Sequence, residues 1–281
     1  MSPATGVGAA DRVLPVTRVL AGVIIPFLVL AAFVLLGRPH ETGRLFAWPI
    51  NPPMTAIALG ATYTGGIVFF TRAMFARRWS SIALGFPAVV AFATTLGIVT
   101  VIHWDRFSHD LLAFWLWAGL YFTTPALVLL VWLANSRAAP RTSQDPATMP
   151  QALRAALAAV GGVLAVTGLV LLLVPEFAET TWAWTLSPLT SRTMAATFFL
   201  PAVVMVGIAL DGRWSSTRIP LEAQGTSAVL ALIGAVVRWE DLQGPGLAVV
   251  GFFGGLAALL VLTAALYSIA RRGDGERNST T

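Results

Sequence analysis

Seven of the hydroxyl-bearing residues inside the apolar stretches of this chain stand out: Tyr63, Thr64, Thr94, Thr95, Tyr121, Thr123 and Thr124. A hydroxyl moved from water to an apolar setting without a partner costs roughly 2–7 kcal/mol. Each one therefore needs a neighbouring helix, a backbone carbonyl or a solute. The first two outcomes are interhelical glue, worth about 0.6 kcal/mol per contact. The third is a binding site for a small neutral or amphipathic molecule. A second group with chemical potential is His103 and His109, which share one short segment with Asp105 and Asp110. Imidazole and carboxylate can ligate zinc, and a histidine can hold a haem. The spacing fits no metal motif, so a solvated, hydrogen-bonded loop stands beside the metal reading.

Other chemistry is thinly represented. There is no Cys, which removes disulfides, thiolate metal sites and cysteine nucleophiles. No P-loop, G-x-S-x-G, H-E-x-x-H or paired mid-stretch carboxylate occurs. Nothing in the sequence asks for a cofactor. Charged residues avoid the middles of the apolar stretches: Arg72, Asp211 and Glu222 lie near one end of theirs, Arg192 near the other. That argues against a proton-coupled antiporter or a voltage sensor, which hold ionisable groups in mid-membrane.

The elements that must position these residues follow from composition. Of 281 residues, 57% are hydrophobic and 11% charged, against about 25% charged in soluble domains. Mean hydropathy is +0.77. Water alone cannot solvate such a surface. About 20 apolar residues cross a bilayer as a helix, and the segments 16–37, 53–75, 82–102, 111–134, 152–174, 190–210, 220–238 and 246–270 qualify. The expected fold is all-α, a polytopic membrane bundle of about eight helices. No small-x-small cleavage site closely follows the first run, which reads as a retained span.

Arginine placement predicts orientation. All 18 basic residues are Arg. Only Arg38, Arg44, Arg106, Arg192 and Arg238 fall on one side of the expected membrane, and the other thirteen fall on the side of both termini. The expectation is a bacterial plasma-membrane protein with N- and C-termini in the cytoplasm. It also accounts for the pI of 10.9 without nucleic acid. All ten Trp fall at expected span ends, where the indole suits the interface.

The chain also repeats itself. Arg18–Pro52 aligns with Arg154–Pro188 at an offset of 136, and Arg78-Trp79-Ser80-Ser81 with Arg213-Trp214-Ser215-Ser216 at 135. Such repeats fix architecture. The expected layout is an N-terminal tail (1–15), a four-helix repeat (16–134), a polar linker (135–151), a second repeat (152–270) and a tail (271–281). Four spans return the chain to its starting side, so the two repeats are parallel. Pro26 corresponds to Gly162 and Gly65 to Pro201, which predicts matched breaks in mid-membrane. The hydroxyls are uneven: Phe199, Leu200, Val229 and Leu230 stand where the first half has Tyr63, Thr64, Thr94 and Thr95. Gly251-x-x-x-Gly255 permits close helix approach, within the chain or in a homo-oligomer.

The stretch Ser187-Pro-Leu-Thr-Ser-Arg192 and the pairs Trp104-Asp105 and Trp239-Glu240 resemble uncharacterised multi-pass membrane proteins of actinobacteria, over spans 2–4 and 6–8. The resemblance implies a membrane origin in such bacteria and no activity. From the residues, besides a metal- or haem-dependent enzyme at His103 and His109, two functions remain in view. One is a transporter- or channel-like protein for a small neutral or amphipathic solute, held between the repeats. The other is a scaffold, lipid-binding or assembly subunit, with membrane lipids as its partners.

Overall fold

Ten α-helices and no strand make up the described part of the computed structural model, residues 11–139 and 149–279, with side chains described to 269. Eight helices are long and apolar enough to cross a membrane: α1 (Pro15–Gly37), α3 (Pro53–Phe75), α4 (Gly85–Ile102), α5 (Leu112–Ala138), α6 (Gln151–Leu173), α8 (Pro188–Asp211), α9 (Arg218–Val237) and α10 (Gly246–Ser279). Short helices α2 (Thr42–Leu45) and α7 (Pro175–Thr181) lie between. Residues 1–10 of the expected tail and 140–148 of the expected linker lie outside the described residues. Helix α5 runs to Ala138, past the expected linker start, because buried Asn135 is anchored: its Oδ1 accepts from Thr17 Oγ1 (2.7 Å) and Leu14 N, and its Nδ2 donates to Arg12 O. Helix α10 continues into the expected C-terminal tail, to Ser279.

Local chemistry sets the helix starts. Proline, which loses no bond at a first helical position, opens α1, α3, α7 and α8. Ser187 and Thr190 form a reciprocal capping box on α8. At the other end of α8, Gly212 adopts a left-handed conformation (φ 69°) that favours glycine.

Element order repeats between halves, and so does detailed chemistry. Arg18 donates to Met74 O and Ala76 O, at the end of α3. Its aligned partner Arg154 donates to Ala209 O and Leu210 O, at the end of α8. These guanidiniums satisfy carbonyls that a helix end leaves orphaned. Trp48 and Trp184, also aligned, are both about 1% exposed.

The halves are interlocked. Helix α3 packs on α1 and α9, and α4 packs on α5 and α8. Exchanging the halves converts α3–α9 into α8–α4, so the two central contacts are counterparts. Helices α3, α4 and α8 are more than half buried, while α6 and α10 are largely exposed. The exposed faces carry Phe33, Leu112, Val163, Leu173, Leu247 and Val250, an apolar belt that hydrocarbon, not water, must cover.

Two expectations are corrected. Pro26, Gly162, Gly65 and Pro201 do not break their helices; all four lie in uninterrupted α-helix. Gly65 serves close packing instead: a Cβ there would stand 2.0 Å from Ser227 Oγ and 2.6 Å from Ala223 O on α9. The tryptophans are not all interface anchors either. Trp104, Trp115 and Trp239 are exposed, but Trp48, Trp79, Trp117 and Trp184 are core residues; Trp48, for one, packs against Phe46, Phe107 and Trp117. Gly251 and Gly255 meet nothing within 4 Å, so the chain makes no use of them internally.

Candidate functional site

Of the seven hydroxyl residues, the fold brings together two. Tyr63 on α3 and Tyr121 on α5 are buried, and their phenol oxygens lie 2.6 Å apart in a hydrogen bond. Phe92 stands edge-on to Tyr63, and Trp117 packs on Tyr121 with ring centroids 4.3 Å apart. Trp117 is fixed in turn by donating Nε1–H to Thr100 Oγ1 at 2.8 Å. This aromatic frame holds the two phenols in one position.

The phenol pair forms part of the wall of a half-open groove between α1 and α5. Helix α1 contributes Leu30, Ala31 and Val34; α5 contributes Leu116 and Leu120; Phe46 is also in the lining. At 1.5 Å per residue, Tyr63 is about 15 Å from the start of α3, near mid-membrane. Val34 and Leu116 lie closer to the side where α3 and α5 begin. The groove therefore leads from that interface toward the centre of the bilayer. Leu30 and Leu116 are exposed on its rim, so it opens sideways into hydrocarbon. Its volume is about 60 Å³, room for one end of a molecule and not for a whole lipid. Apart from Trp117, whose indole N–H is bonded to Thr100, the polar side chains among its lining residues are Tyr63 and Tyr121.

The remaining hydroxyls lie elsewhere. Thr64 donates to Gly60 O, Thr95 to Ala91 O and Thr123 to Gly119 O, each four residues back on its own helix. Thr94 and Thr123 are exposed, and Thr124 is buried. The pair that these residues form among themselves lies within the first half.

The histidines have separate surroundings. His103, just past α4, accepts at Nε2 from Arg192 Nη1 on α8, 2.8 Å away. Desolvation, then the charges of Arg192 and Arg106, hold its pKa below the ordinary histidine value. A guanidinium on the ring nitrogen disfavours a metal cation there. His109 is stacked against Phe114 and Trp104, with its Nε2 buried and unpartnered. Among the described residues no three metal-capable side chains converge.

Three further contacts join the halves near the end where α3 begins or along the central helices. Trp184 Nε1 donates to Thr55 Oγ1 at 2.8 Å. Asp241, held by Arg238, accepts from Met54 N at the start of α3, where a negative charge suits the helix dipole. Arg72 on α3 pairs with Glu222 on α9. Two charged groups lie at the end where α3 finishes: Asp211–Arg213–Ser216, and Arg72–Glu222–Arg218 with Tyr267. Sequence reasoning missed Trp117 and the Arg192–His103 contact. Nothing in the spacing joins residues 89 positions apart.

Eight long apolar helices define an integral, multi-pass membrane protein. No protein-family model, curated protein or solved structure matches the chain.

Proposed function

We propose that this membrane protein takes a neutral amphipathic molecule from the bilayer through the opening between α1 and α5. The molecule's polar end rests on the Tyr63–Tyr121 pair, as the loading step of a carrier. The observation that carries this reading is the position of two hydrogen-bonding phenols in the wall of an otherwise apolar, laterally open groove. Each phenol can donate or accept, so the pair suits a hydroxyl or carbonyl and gives a carboxylate no compensating charge. The hydrocarbon part of the ligand would stay in the membrane. The arginine distribution supports placement in a bacterial plasma membrane with both ends in the cytoplasm, and the groove would then open into the outer leaflet. The even span count supports a pseudo-two-fold axis along the membrane normal relating the halves.

Trp117 in the groove wall gives the test. A brominated long-chain alcohol in the vesicle bilayer is expected to quench tryptophan fluorescence with a saturable component. Trp117→Phe should remove that component, and Tyr63→Phe should weaken its affinity. Linear quenching, equal in all three proteins, would overturn the reading. A cysteine placed at position 40, labelled only from outside the cell, would support the orientation.

A second reading has its own support. Thr64, Thr95 and Thr123 turn onto their own backbones, which leaves them offering little to a polar path across the membrane. In that reading the groove belongs to a lipid-binding or assembly subunit that moves nothing. Saturable quenching without movement of the alcohol between leaflets would favour it.

A further inference from the structure

The second half contains a polar pair that the groove does not use. Gln224 on α9 is 4% exposed and Thr263 on α10 is 7% exposed. Neither the amide oxygen nor the amide nitrogen of Gln224 has a hydrogen-bond partner, and neither has the Thr263 hydroxyl. The two helices pack together. A Cβ at Gly225 would meet Thr263 Cγ2 at 3.4 Å, so Thr263 lies against the turn of α9 that carries Gln224. Gln224 is six residues into α9 (224 − 218), and Thr263 is eight before the Arg271-Arg272 pair that closes the apolar run (271 − 263). Both therefore lie about 9–12 Å inside the membrane ends of their helices. Three buried hydrogen-bonding atoms remain unpaired on neighbouring turns of the two helices.

Native proteins rarely leave such groups unpaired, and a bound molecule is the usual resolution. Other observations agree. A Thr can turn its hydroxyl onto its own helix backbone, as Thr64, Thr95 and Thr226 do, yet Thr263 does not. One turn toward the arginine-rich surface, Tyr267 donates to Glu222, which also binds Arg72 and Arg218. This polar network continues the track from the pair to the membrane surface. At the offset of 135 the first half has Val89 and Val128, so the shared bundle architecture does not itself require polar groups there.

We infer that Gln224 and Thr263 form a binding site for water or another small uncharged hydrogen-bonding molecule, entered from the side of the membrane where α9 begins. The amide and hydroxyl supply both donors and acceptors. The nearby Glu222 carboxylate is paired with two guanidiniums, so it offers the site no uncompensated negative charge. This site lies in the opposite half of the molecule from the tyrosine pair and does not depend on the groove reading.

The absence of native cysteine makes the test direct. In the full-length protein in vesicles, Gln224→Cys and Thr263→Cys are expected to react with methyl methanethiosulfonate at least tenfold faster than Val89→Cys, at the equivalent position in the first half. Equal slow rates at all three positions would overturn the inference. Protection of Thr263→Cys by molar glycerol would indicate a site that accepts solutes, and fast labelling without protection would indicate water alone. Thermal unfolding gives an independent readout. If the amide were dry, Gln224→Val would raise the unfolding temperature by relieving an unpaired group. A filled site predicts no rise, and a clear rise would also overturn the inference.

Discussion

The Tyr63–Tyr121 hydrogen bond has a particular energetic signature. Removing one phenol oxygen leaves the other buried and unpaired, at a cost of about 1–3 kcal/mol. Removing both leaves nothing to satisfy. Tyr63→Phe and Tyr121→Phe are therefore expected to destabilise the protein individually, and the double variant by clearly less than their sum. Chemical unfolding in detergent micelles would measure the cycle, and additive losses would show that the two hydroxyls act independently. The sequence made both tyrosines visible as candidates, because Phe199 replaces Tyr63 in the copy. It could not show that they meet, since 58 residues separate them and only the packing of α3 and α5 on α1 brings them together. The threonines were misleading for a physical reason. A threonine in a helix can reach the carbonyl four residues back, and Thr64, Thr95 and Thr123 do so, which satisfies the hydroxyl without a site.

At the scale of helices, glycine positions that look alike in sequence differ in what they contact. Gly65 lies at the α3–α9 crossing, where an added methyl would meet the Ala223 backbone oxygen at 2.6 Å. Overpacking of that kind typically costs 1–3 kcal/mol, so Gly65→Ala should destabilise by about that amount. Combining it with Ser227→Ala should recover only part of the loss, because the backbone contact remains. Gly162 has nothing within 4 Å, and Gly162→Ala should stay within about 0.5 kcal/mol of the parent. Helix ends carry a different signal. His103 is held below its ordinary pKa by desolvation first and by the adjacent Arg192 and Arg106 charges next. The unfolded chain then binds the proton more readily than the folded one. The stabilising contact is complete above pH about 6.5, the ordinary histidine value, and is lost as pH falls through the lower folded value. Unfolding temperature should drop between neutral pH and pH 5. His103→Gln should reduce that drop, and Arg192→Gln should reduce it less, since desolvation remains.

For the molecule as a whole, composition and span length were enough to indicate eight helices and their approximate limits, because hydrocarbon tolerates few other structures. The sequence also suggested a duplication, and Arg18 and Arg154, aligned by sequence, both donate to carbonyls at helix ends. What the alignment did not carry is how the halves fit together, since apolar helix faces in lipid encode partner choice weakly. Between residues 16–134 and 152–270, each half packs its most buried helix against the other. Helix α3 relies on α9, and α8 relies on α4. Trp184–Thr55, Asp241–Met54, Arg192–His103 and Arg72–Glu222 all cross between halves. A half expressed alone would expose Gly65, Thr55 and the Met54 N–H to lipid, with no partner for the polar groups among them. Fragments 1–144 and 145–281 should therefore each fail to accumulate when produced singly. Produced together, they should associate and purify as one complex through a tag on either fragment, and they should regain the quenching of Trp117 by the brominated alcohol. A first fragment that is stable alone and keeps that quenching would mean that the groove half folds independently. The cross-half contacts would then be an accessory to the fold and not its basis.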